Sequence, residues 1–159
     1  MAMRVGIGYD IHPKVSGRRL VLGGVVFDSD WGLEGHSDAD VLCHAVADAL
    51  LGACALGDLG RHFPPNDPRW KDASSVNLLG LVRAMVDGVG GRVSNVDATV
   101  VAQSPTLAPK VPEMCRNIAR ALHVGMESVS VKATTNETLG ALGRGEGIAA
   151  MAVAMVDVK

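Results

Sequence analysis

The chain reads as an α+β (α/β) sandwich: one mixed sheet with helices packed on one face, in a single domain over residues 1–159. Three observations predict this. Runs rich in β-branched residues alternate with helical runs bounded by caps, prolines and glycines, and such an alternation packs as helices on a sheet. With 159 residues, 48% of them hydrophobic, the chain can bury one real core. Aromatics are only 3% while Gly numbers 19, so the core must be built from Val, Leu, Ala, Ile and Met, with tight turns and close backbone approaches.

The elements follow in order. Residues 3–12 and roughly 18–27 read as strands joined by a turn at 14–17, and 32–37 as a loop. Residues 38–56 predict a helix, with Ser37 as N-cap and Asp38 and Asp40 in its first turn. Residues 57–74, carrying Pro64, Pro65 and Pro68, form a long loop of the kind that often carries function. A helix over about 74–88 stops at Gly88-Val-Gly-Gly91. A strand over 93–103 follows, then a helix over 109–122 that starts on proline. Strands at 129–133 and 148–156 complete the set.

A net charge of −2 gives no electrostatic reason to expect nucleic acid or a membrane surface as partner. The longest apolar stretch, 148–156, is too short to span a bilayer. Cys43, Cys54 and Cys115 contain no Cys-x-x-Cys, which favours reduced thiols and a cytoplasmic setting; no signal or transit segment precedes the first strand. The phosphate-loop motif, the dinucleotide glycine fingerprint, His-Glu-x-x-His and Gly-x-Ser-x-Gly are all missing from the sequence.

Chemistry gathers early in the chain. Asp10 and His12 sit one residue apart at a strand end, so both point to one face. His44 comes from the following helix. One carboxylate and two imidazoles suit Zn²⁺, with Mn²⁺ and Co²⁺ as alternatives, and three ligands leave a position open for a substrate oxygen. Asp40, His44 and Asp48, at i, i+4 and i+8, are expected on one helix face, where either Asp could orient an imidazole or take a substrate hydroxyl. Gly35-His36-Ser37 at the helix start offers donors to an anion. Lys132-Ala-Thr134-Thr135-Asn-Glu137 gathers hydroxyls and a carboxylate at a strand end, where Glu137 could hold Mg²⁺ shared with phosphates. The segment Ala102-Gln-Ser-Pro105-Thr-Leu-Ala108 exposes main-chain groups able to read a base edge.

Taken together, Gly8-Tyr-Asp10-Ile-His12, Gly35-His36-Ser37-Asp38-Ala-Asp40, His44-Ala-Val-Ala-Asp48-Ala-Leu-Leu-Gly52, Gly57-Asp58-Leu-Gly60, Lys132-Ala-Thr134-Thr135-Asn-Glu137 and Gly143-Arg144-Gly145-Glu146-Gly147 resemble the 2-C-methyl-D-erythritol 2,4-cyclodiphosphate synthases of non-mevalonate isoprenoid biosynthesis. The resemblance runs nearly end to end. It implies a homotrimer with active sites between subunits. It also implies a substrate, 4-diphosphocytidyl-2-C-methyl-D-erythritol 2-phosphate, whose 2-phosphate attacks the β-phosphorus and expels CMP. By the same resemblance Asp10, His12 and His44 hold Zn²⁺, Glu137 holds Mg²⁺ or Mn²⁺, and His36 and Thr135 stabilise the transition state. Asp58 and Gly60 hold the ribose, the 63–67 loop from Phe63 to Asp67 meets the methylerythritol, and residues 102–108 with Thr134 form the cytidine pocket. Ser37, Asp48 and Lys132 are further candidate contacts.

Two positions depart from the family pattern. Thr106 stands where many members carry Lys, and Ala141 where some carry Phe near the trimer axis. The family's axial cavity, with Arg144 at one end, can take an isoprenoid diphosphate, and Ala141 would enlarge or reshape it. Two other functions use the same residues. One is a zinc phosphohydrolase acting on a nucleotide diphosphate. The other is a trimeric binding module for isoprenoid diphosphates with a structural metal, which three ligands rather than four argue against.

Overall fold

The computed structural model describes residues 2–159. Strands β1 (Ala2–Ser16), β4 (Trp31–Leu33), β5 (Gly91–Val101), β6 (Val129–Thr134) and β7 (Gly147–Val158) form one sheet in the order β4-β1-β7-β5-β6. Only β5 and β6 run parallel, joined by a crossover through helix α4 (Val111–Leu122); the other pairings are antiparallel. The sheet is thus mixed, as expected. Strands β2 (Leu20–Leu22) and β3 (Val25–Phe27) form a separate hairpin. The single strand expected over 18–27 is therefore two, because Gly23 and Gly24 both take positive φ and reverse the chain.

Helices α1 (Val41–Ala53), α3 (Ser75–Gly88) and α4 lie on one face. The single-turn helices α2 (Leu59–His62) and α5 (Gly140–Gly143) sit in connections. Helix α1 rests almost directly on the backbone of β1. A Cβ at Gly6 would come within 1.9 Å of the Ala49 carbonyl oxygen, and one at Gly8 within 1.9 Å of that of Ala45. Beside them β7 offers Ala150, Ala152 and Ala154, all buried. Small residues in the sheet therefore let the helix approach, and a core without large aromatics fills the space that remains.

That approach positions the site. Ten of the thirteen residues of α1 are buried; His44 and Asp48, four apart, are its polar positions facing the open end. The helix start differs from expectation. Asp40, not Ser37, is the N-cap, and the helix begins at Val41 rather than 38. The Asp40 carboxylate is fully buried and accepts from the backbone N–H of Cys43 (3.1 Å), Gly23 (2.9 Å) and Gly24 (2.7 Å). Burial pushes its pKa up, against those three bonds. The helix stops at Ala53 because Ala55 and Gly57 take left-handed φ.

The opposite sheet face is bare. Met3, Val5, Ile7, Tyr9, Ile11, Met151 and Val153 all project from it, with Ile7 73% exposed.

Candidate active site and metal centre

The register of β1 on β7 sets Asp10 opposite Ala150 and His12 opposite Ile148, and both polar side chains turn toward the α1 face. His44 meets them there. The Asp10 Oδ2 lies 2.9 Å from His12 Nε2 and 2.9 Å from His44 Nδ1, and the two nitrogens are 3.4 Å apart. Among the described residues this is the grouping of His, Cys, Asp and Glu fit to hold a metal ion. A tetrahedral ion with bonds near 2.0 Å needs its ligands about 3.3 Å apart. The nitrogen pair already has that spacing, and the two carboxylate edges need open only by a few tenths of an ångström. The donor set fits a borderline divalent cation.

The ring of His12 is fixed from behind. Its Nδ1 donates to the Glu34 carbonyl at 2.7 Å, which leaves the Nε2 lone pair facing Asp10. Burial tends to raise the Asp10 pKa, but the adjoining His12 and His44 rings, which bond to its carboxylate when protonated, hold it with their charge at about 2. Burial works against protonation of His12, yet the bond that its protonated ring makes to Asp10, and the charge of that carboxylate, raise the His12 pKa.

A cavity of about 340 Å³ opens beside the triad. His36, Ser37, Asp48, Gly60 and Phe63 line it, as do Pro65, within the expected 63–67 loop, and Trp70, which sequence reading had not singled out. His36 Nε2 donates to the Asp67 carbonyl at 3.0 Å. The strap carrying His36 is held by Arg18, whose guanidinium donates to the carbonyls of Gly35 (2.6 Å) and Ser37 (2.7 Å). Phe63 packs edge-on against Trp70, ring centroids 4.9 Å apart. The Asp67 carboxylate is occupied by Arg69, which lowers its pKa, so its side chain is engaged before any substrate arrives. Asp58 caps α2 by accepting from Arg61 N–H at 2.9 Å.

Neither Asp40 nor Asp48 orients an imidazole. Asp40 is spent on the glycine turn, and Asp48 accepts from Leu59 N–H at 2.7 Å. Burial raises the Asp48 pKa. The groups at the outer nitrogen of His44 are instead two hydroxyls, Ser75 Oγ at 2.8 Å and Ser37 Oγ at 3.2 Å. Ser75 was legible in the sequence only as one of two serines at a helix start.

The remaining predicted residues sit elsewhere. Ala102, Pro105 and Ala108 follow β5, tied back by the Ala102 N–H to the Thr134 carbonyl at 2.9 Å. Thr134 ends β6, Thr135 and Glu137 follow it, and all three are exposed; Glu137 and Thr138 take φ of 51° and 61°. Lys132 is paired with Asp97, and Arg144 with Glu146 at 2.6 Å. None of these residues lines the cavity beside the triad.

Residues 3–157 match the model of the YgbB family. A protein of Desulforamulus reducens named 2-C-methyl-D-erythritol 2,4-cyclodiphosphate synthase is 62% identical over 95% of this chain and 96% of its own length. A protein of the same name from Moorella thermoacetica is 60% identical over 97% of this chain and 94% of its own. Among solved structures, the bifunctional IspDF of Campylobacter jejuni aligns with a TM-score of 0.95 at 39% identity over 99% of this chain, which spans 43% of that longer protein. A Plasmodium falciparum IspF in complex with CDP aligns with a TM-score of 0.87 at 31% identity, covering 99% of this chain and 97% of that one.

Proposed function

The chain belongs to the YgbB family, and on that premise we propose that it is a phosphorus–oxygen lyase converting 4-diphosphocytidyl-2-C-methyl-D-erythritol 2-phosphate to 2-C-methyl-D-erythritol 2,4-cyclodiphosphate and CMP. The observation that carries the reading is the Asp10–His12–His44 cluster beside a cavity walled by His36, Ser37 and Gly60.

In the reaction an oxygen of the 2-phosphate forms a bond to the β-phosphorus. The bond from that phosphorus to the oxygen bridging the α-phosphorus breaks, and CMP leaves with that oxygen. The attacking oxygen is already anionic, so no general base is required, and catalysis reduces to positioning and charge neutralisation. Asp10, His12 and His44 would hold Zn²⁺, or Mn²⁺ or Co²⁺, and Glu137 with the substrate phosphates would hold Mg²⁺ or Mn²⁺. Such cations, when bound, polarise phosphoryl oxygens and neutralise developing charge. His36, held by Asp67, and Thr135 serve the transferring phosphoryl group. Asp58 and Gly60 take the ribose, and the Phe63–Trp70 wall excludes water that would open the ring product.

The site is shared between copies in this reading. Asp10 pairs with Ala150, Ala150 with Val100, and Val100 with Ala133, so the two predicted halves lie at one level of the sheet but three strands apart. That is roughly 14 Å at normal strand spacing. A homotrimer that buries the bare apolar face would bring the β6 end of one copy to the β1 edge of the next. Its axis would lie near Arg144, whose pairing with Glu146 an isoprenoid diphosphate could replace; Arg144→Ala should then abolish that affinity. Three free, buried cysteines suit a reducing cytoplasm.

The test is turnover followed by ³¹P NMR with Zn²⁺ and Mg²⁺ present. Coupled resonances of a cyclic diphosphate plus CMP are expected. CMP with a linear bisphosphate would identify a phosphohydrolase instead.

A further inference from the structure

We propose that Ser75 and Asp38 are positioning residues that set the tautomer of His44, through a relay running Asp38–Ser75–His44. The inference rests on the reading of His44 as a metal ligand, and it follows from the direction of each hydrogen bond. Asp38 accepts at every contact it makes. Its Oδ2 takes the Ser75 backbone N–H at 3.0 Å, and its Oδ1 takes the Asp40 N–H at 3.2 Å and the Ser75 hydroxyl.

A carboxylate cannot donate, so the Ser75 hydroxyl must spend its one proton on Asp38. Only lone pairs then remain on Ser75 Oγ. The group 2.8 Å away, His44 Nε2, must therefore carry the hydrogen. A neutral imidazole has one N–H, so Nδ1 is left with its lone pair, 2.9 Å from Asp10 Oδ2 and facing His12 Nε2. The relay thus presents a ready ligand atom before any cation arrives. On His12 the Glu34 carbonyl achieves the same result from the other side. His12 thus has a carbonyl behind its ring and His44 a hydroxyl backed by a carboxylate, and acceptors so placed fix ring orientation and raise ligand basicity.

Ser37 is the competing hydroxyl. Its Oγ is farther from Nε2, at 3.2 Å, and already accepts from Ala39 N–H at 3.2 Å. Ser75 is nearly inaccessible, 1% exposed, and it is free of capping duty because Ser74 caps α3 by accepting from Asn77 N–H. Its hydroxyl therefore has no other partner than the two ends of the relay.

The test has two readouts. The first is the His44 tautomer in metal-free protein, read from imidazole ¹⁵N shifts. Nε2–H is expected in the parent chain, and tautomer mixing in Ser75→Ala. The second is Zn²⁺ affinity by chelator competition. Ser75→Ala should weaken it about 10–100-fold, Ser75→Thr, which keeps the hydroxyl, should restore it, and Ser37→Ala should weaken it less. An Nδ1–H tautomer in the parent chain would overturn the relay, as would Ser37→Ala weakening zinc more than Ser75→Ala. A parent chain that binds no zinc but shows the Nε2–H tautomer, lost in Ser75→Ala, would refute the metal reading while leaving the relay standing.

Discussion

The β1–α1 end of the molecule and the β5–β6 end differ in how completely each is satisfied within one chain. At the first, Asp10, His12 and His44 converge on one point, and His36, Asp48 and Asp58 each hold a backbone partner. At the second, Thr134, Thr135 and Glu137 stand exposed, with Glu137 and Thr138 in the left-handed region that costs about 1 kcal/mol or more per residue. The first region is rigid because α1 lies against glycines of β1 and cannot shift without a clash. The second keeps its left-handed residues exposed and is held by short-range bonds within its own loop, such as Glu137 N–H to Thr135 Oγ1. The satisfied half and the exposed half lie three strands apart in one sheet, a separation that the proposed sharing of the site between copies would bridge.

The largest effects should come from breaking each half separately. His44→Ala should abolish metal binding and lower turnover by roughly 10³-fold, checked by metal content and ³¹P NMR. Glu137→Gln should lower turnover by roughly 10²–10³-fold yet leave metal at the triad unchanged, because its carboxylate lies outside that cluster. The two dead variants, dissociated and reassembled together, should regain activity. In equal mixture about one neighbour pairing in four joins an intact triad to an intact Glu137 in a heterologous ring. No recovery on mixing would break the comparison, since both halves would then have to act within one chain.

The Asp10–His12–His44 cluster was legible because Asp-x-His has a fixed geometric meaning in a strand, although β1 runs on past His12 to Ser16, and His44 lies on a helix that crosses it. The strand set was legible too, except that Gly23-Gly24 cut one strand into a hairpin and that the end of β1 and the short β4 occupy positions read as turn and loop. The helix start was misread because three acceptors compete there. Ser37, Asp38 and Asp40 can all cap, and the choice of Asp40 depends on Gly23 and Gly24 arriving from a distant turn. Ser75 and Asp38 behind His44 were hidden for the same reason. Their contact spans 37 positions, and only packing of α3 on α1 creates it.

A smaller effect should follow within the satisfied half. Asp58→Ala removes both the α2 cap and the proposed ribose contact. It should raise KM about tenfold with little change in kcat, and lower stability by about 1 kcal/mol through the lost cap. Asp58→Asn, which can still cap, should keep the stability and separate the two roles, read by steady-state kinetics beside thermal unfolding. A fall in kcat equal to the rise in KM would move Asp58 from substrate binding to the chemical step.

The smallest effect is the pH dependence of the metal-free chain, and it too separates the halves. The Asp10 pKa falls from 3.8 to about 2, so its stabilisation is present above 3.8 and lost as pH drops through 2. The His12 pKa is raised from 6.5, so its stabilisation is full below 6.5 and lost as pH rises through the folded value. Metal-free protein should therefore be most stable between pH 4 and 6.5 and weaken above that window, an effect that solvent screening keeps small. Zinc should reverse the trend, because a ligating imidazole must be unprotonated and a higher pH favours that form. The stabilisation by zinc in thermal unfolding should thus grow from pH 5.5 to pH 8 in the parent chain and in Glu137→Gln, and vanish in His44→Ala. A zinc effect independent of pH would mean that the cation sits away from His12, and the β1–α1 end would lose its claim to be the finished half.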